Sequence, residues 1–130
     1  MNQDRNALVL KLRPEIKKAK IKEATLSVEA FQNTTLRPII KFQHAVLFLI
    51  LKKYIADIHF DLQANSIEKT TEFIAKALQS NTQLNLQITH SVTAFFTTNE
   101  FEFYSENSKE IHKRIIQICK ERYLTNLNAL

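Results

Sequence analysis

The chain contains no glycine in 130 residues. Tight hairpin turns of the primed types need positive φ, which glycine supplies at least steric cost. A protein of many short strands would need several such turns, whereas helices can end on Asn or in short ordinary loops. The absence therefore predicts an all-α chain. It also excludes the glycine-rich phosphate loops of the Rossmann and Walker types, which rely on close backbone approach.

Hydrophobic periodicity and end signals divide the sequence. Asp4 to Leu12 reads as a short helix, and Pro14 disfavours helix at Arg13. Ser27 is placed to cap a short helix through Asn33, and Thr35 to cap a long one. In the long helix Pro38 falls in the first turn, where its missing N–H costs little. This helix is expected to reach Ile58. Leu36, Ile39, Ile40, Leu47, Ile50, Tyr54 and Ile58 share one face at 100° per residue. Phe42, Ala45, Leu49 and Ala56 form a second apolar face. Asn65-Ser-Ile-Glu68, Thr97-Thr-Asn-Glu100 and Asn107-Ser-Lys-Glu110 match the capping-box pattern. They predict helices from Ser66 to Gln79, after Thr97, and from 108 to about Asn126. Residues 82–96 carry two signals. Leu84, Leu86 and Ile88 alternate as in a strand, while Leu84, Ile88, Val92 and Phe95 share a helical face. Missing glycine tips the reading toward helix. The expected architecture is a compact antiparallel bundle of five to seven helices around one long central helix.

Charge is unevenly placed. Residues 1–26 hold seven basic and three acidic side chains, or +4 of the total +5. This divides the chain into a basic N-terminal arm, 1–26, and a nearly neutral helical domain, 27–130. Lys11, Arg13, Lys17, Lys18, Lys20 and Lys22 in the arm are candidate contacts to nucleic acid. No aromatic residue interleaves with them, and no nucleic-acid-reading motif follows. One cysteine, Cys119, precludes an internal disulfide, and no secretory pattern opens the chain. The longest apolar run, Ala45 to Leu51, is far short of the ~20 residues a membrane span needs. The expected location is cytoplasmic.

The stretch Phe31-Gln-Asn-Thr-Thr-Leu-Arg-Pro-Ile-Ile-Lys-Phe-Gln43 resembles a family of small bacterial all-helical proteins without an assigned activity, some of them labelled glyoxalase. The resemblance extends through Tyr54-Ile55, the Phe96-Thr97 junction and the basic C-terminal helix. It implies that residues 82–106 are helical, and it places no catalytic residue. The glyoxalase superfamily itself uses paired βαβββ modules with metal ligands on strands, neither of which this sequence displays.

Candidate chemistry is sparse. His44, His59, His90 and His112 lack the i, i+4 spacing of helical metal sites, so no metal and no cofactor is expected. His59 with Asp61, the Glu68–Glu72 pair and Cys119 each fit ordinary loop, surface or core roles. Arg37, Lys41 and His44 lie on one narrow stripe of the long helix, near a Pro-led N-terminus, and are the candidate anion-binding set. Gln43 falls within the main apolar face and must be hydrogen-bonded if buried. A helix apolar on two sides belongs in a core or an interface. The leading expectation is therefore a non-enzymatic interaction module that forms a two-fold dimer. A nucleic-acid binder acting through the arm and a small-anion or metabolite binder are the alternatives.

Overall fold

The structure, a computed structural model, describes residues 2–14 and 27–130. It is all-α, with no strand among the described residues. Helix α1 (Asn2–Lys11) is followed by a continuous helical run. That run comprises α2 (Val28–Phe31), a π-helical segment (Gln32–Leu36) and α3 (Arg37–Phe42). Then come α4 (His44–Ile58), α5 (Ile67–Ser80), α6 (Thr82–Thr93), α7 (Thr98–Glu106), α8 (Ser108–Thr125) and a 3-10 turn (Leu127–Ala129).

Local chemistry explains most of the ends. The Ser27, Ser66, Asn81 and Thr97 side chains each accept from a backbone N–H of the first helical turn. At Thr97 the box is complete, with Glu100 reaching back to the cap N–H. Helix α4 ends on His59 at φ 61° and ψ 35°. The His59 N–H donates to Ala56 O and the Phe60 N–H to Ile55 O, each at 3.1 Å. This is a Schellman closure, with histidine in the left-handed position that glycine usually fills.

Four expectations need correction. Thr35 caps nothing: the Ser27 helix runs on through it, and the Arg37 N–H reaches back five residues to Gln32 O. The wider π turn falls just ahead of Pro38, which cannot donate to the helical ladder. The long helix is interrupted at Gln43, whose ψ of 8° departs from the helical value. Beyond this turn the buried positions are Leu47, Phe48, Leu51 and Ile55, while Ile58 is exposed. The inward face is thus displaced from the one a continuous helix would give. Ser66 caps α5 in place of Asn65, whose side chain instead donates to Asp61 O. Finally, Asn107 gives α8 no side-chain cap, its amide donating instead to Phe103 O at 3.0 Å.

The bundle is antiparallel around α4. The start of α4 lies at the end of α6, where Gln43 Nε2 donates to Ser91 O at 2.9 Å. The end of α4 faces the start of α6, with Tyr54 and Asp57 beside Asn81 and Leu84. The start of α4 also meets the end of α8, where the Tyr123 hydroxyl donates to Leu47 O at 2.6 Å. Helix α8 packs on α5, α6, α7 and the π segment. The core joins Phe31, Leu36, Ile39, Leu51, Ile74, Ile88, Phe96, Ile111 and Ile115, all with 0–1% exposure.

Candidate functional site

The predicted Arg37, Lys41, His44 stripe is divided. Arg37 Nε donates to Asn33 Oδ1 at 3.2 Å, and its side chain lines a groove against α8. Lys41 is exposed. His44 turns to the end of α8, where Arg122 Nε and Nη2 lie 3.2 and 3.0 Å from its Nδ1. Accepting from a guanidinium requires Nδ1 to be bare, which places the imidazole proton on Nε2. Partial burial, and then the Arg122 charge, hold the His44 pKa below its ordinary value. His44 is thus a neutral acceptor, its ring tilted against Phe48 with centroids 4.6 Å apart, and not a cation for an anionic ligand.

Residues 2–14 of the predicted arm are tied to the helical body. Arg13 makes a two-pronged ion pair with Glu100: Nη1 to Oε2 at 2.8 Å and Nη2 to Oε1 at 2.5 Å. Its Nη2 also donates to Phe95 O at 2.8 Å. Arg5 donates to Phe96 O at 2.7 Å and to Ala94 O at 2.8 Å. The three carbonyls follow α6, where a helix leaves its acceptors without partners and its dipole is negative. Asn6 exchanges hydrogen bonds with the backbone N–H and hydroxyl of Thr98.

Glu100 is the hub of this arrangement. Its Oε1 also accepts from Thr97 N at 2.8 Å, and its Oε2 from the Thr35 hydroxyl at 3.0 Å. Burial alone would raise the carboxyl pKa. The Arg13 hydrogen bonds, the Thr97 N–H, the Arg13 charge and the Thr35 hydroxyl outweigh it and hold the group below its ordinary value. Arg13 is therefore already neutralised within the protein. Lys11 is exposed, and Lys17, Lys18, Lys20 and Lys22 lie outside the described residues.

Among the described residues, one of the exposed apolar surfaces lies on α3 and α4, apart from the exposed Leu8, Leu10 and Leu12 at α1. Phe42, Val46 and Leu49 are 41%, 45% and 60% exposed, in one ridge with exposed Ala45. Phe42 is held edge-on against Phe95, ring centroids 5.3 Å apart, so the ridge is set in place before anything docks on it. Val46, four residues after Phe42, lies on the same face as Phe42, Ala45 and Leu49.

The remaining candidates have structural roles. Asp61 Oδ1 accepts from Gln63 N and Ala64 N in a local turn, and His59 closes α4. Glu68 and Glu72 are exposed along α5. Cys119 is buried, and desolvation pushes its thiol up to about 12, which disables it as a nucleophile. Among the described residues, no group of acids, histidines and cysteines is placed to hold a metal ion. No described helix is long and apolar enough to cross a membrane. Neither protein-family models, nor characterised proteins, nor solved structures give a match to this chain.

Proposed function

We propose that the protein is a non-enzymatic helical interaction module that pairs with a second copy of itself through the ridge that runs from the end of α3 along α4. The observation that carries this reading is the exposure of Phe42, Val46 and Leu49 on ordered helix. Burying apolar surface contributes about 25 cal/mol per Å2, so a contiguous ridge is worth more than scattered apolar residues.

The spacing favours a like partner. Positions 42, 45, 46 and 49 map onto themselves in an antiparallel pair, 42 opposite 49 and 45 opposite 46. A two-fold interface needs this self-complementarity. Phe42 of one copy then lies over Leu49 of the other, and small Ala45 lets the helices approach at the axis.

A cysteine at the axis tests this directly, because the native Cys119 thiol is buried and unreactive. Under mild oxidation, Val46→Cys is expected to give a covalent dimer at micromolar protein. Lys76→Cys, exposed on α5, is expected to stay monomeric on the same gel. Equal cross-linking of the two variants, or none at position 46, would refute the interface.

A further inference from the structure

Arg37 does not work with Lys41 and His44, but it shares a groove with two cations of α8. The groove has a volume of ≈ 340 Å3 and lies between the π segment and α8, with Arg37, Lys113 and Arg114 along it. Both guanidiniums are fixed by neighbours. Arg37 is held through Nε by Asn33 Oδ1 at 3.2 Å. Arg114 is held through Nε by Glu110 at 3.0 Å and through Nη1 by Gln32 Oε1 at 3.0 Å. Among the described residues, this leaves both terminal nitrogens of Arg37 and Nη2 of Arg114 without a partner. Part of the entropy cost of ordering these side chains is already met in the free protein.

The π turn creates this juxtaposition. Its extra residue sets the angular position of Arg37 relative to Gln32, and Gln32 orients Arg114 across the groove. Such turns recur at functional sites because they re-aim side chains on an otherwise regular helix. The two acids on the groove are engaged: Glu110 by Arg114, and Glu121 by Gln117 Nε2 at 3.2 Å.

We propose that the groove binds the phosphate group of a small phosphorylated compound. A carboxylate has two oxygens, which one guanidinium fork can satisfy. The Arg37 fork, the free Nη2 of Arg114 and the Lys113 ammonium together suit a tetrahedral dianion with three terminal oxygens. The volume is that of a small-ligand site, so an organic remainder fits beside the phosphate over Ile118 and Gln117.

The probe is inorganic phosphate, titrated into 15N-labelled protein at constant ionic strength, with acetate as the second arm. Phosphate is expected to give saturable amide shifts centred on Gln32, Arg37 and Arg114, with acetate markedly weaker. Arg37→Gln, a partly exposed change that leaves the core intact, should weaken binding by about tenfold or more. Lys41→Gln should leave it unchanged. Absence of saturation, equal response to acetate, or equal weakening by Lys41→Gln would each overturn the proposal.

Discussion

Glu100→Ala is expected to destabilise the fold by about 3–5 kcal/mol, the usual cost of breaking one side of a buried ion pair. The Arg13 and Glu100 side chains are 9% and 16% exposed, so solvent cannot replace the lost partner. The truncation leaves the Arg13 guanidinium with only Phe95 O and strands the Thr97 N–H and the Thr35 hydroxyl. Arg13 Nε is already buried without a partner, which leaves the guanidinium little to fall back on. Urea unfolding measures the loss. Hydrogen exchange should show α1 released before the rest of the bundle, since Arg13 is one of its few ties. A cost below about 1 kcal/mol would mean that the pair behaves as a solvated surface bridge.

The same carboxylate gives the fold an acid limit. Its pKa in the folded state lies below the ordinary value, so the unfolded chain binds the proton more tightly. The stabilisation is complete above the ordinary glutamate range, about 4.3. It is lost as the pH falls through that range toward the lowered folded value. Glu100→Gln should flatten this limb of the stability profile relative to the parent protein.

Phe31→Ala is expected to cost a further about 3–5 kcal/mol by itself, through lost transfer energy and an unfilled cavity. Phe31 is fully buried. Its ring meets Phe96 edge-on at 5.4 Å and Phe103 at 4.9 Å, linking α2 to the α6–α7 corner and to α7. The site cannot collapse easily, because Glu100 and Arg13 fix that corner by directional hydrogen bonds. Phe31→Leu should recover part of the loss. Thermal unfolding compares the three proteins, and a cost near zero for the alanine variant would contradict the packing described.

The fold class was legible because its determinants are local. Missing glycine, the caps at Ser27 and Thr97, and the 3.6-residue periodicity can each be read from short stretches of chain. Residues 82–96 were ambiguous by pattern, and the Asn81 cap with Thr89 and Val92 on the buried side resolves them as α6. Long-range contacts set what the sequence left obscure. Glu100 read only as the third residue of a capping box, because Arg13 and Thr35 are distant in the chain. Arg37 was visible as a basic residue near a helix start, but its groove partners lie on α8. Thr35 read as a cap because a π turn ahead of Pro38 has no reliable local signature.

The measurement closest to the central claim is sedimentation equilibrium of the intact protein beside Leu49→Glu, over a range of concentrations. Leu49 is 60% exposed, so the substitution should cost the monomer fold little. The parent protein is expected to sediment at twice its 15.2 kDa chain mass, and Leu49→Glu at 15.2 kDa with unchanged helical circular dichroism. A parent protein that remains at 15.2 kDa throughout, or a Leu49→Glu variant that still dimerises, would contradict pairing through the α4 ridge.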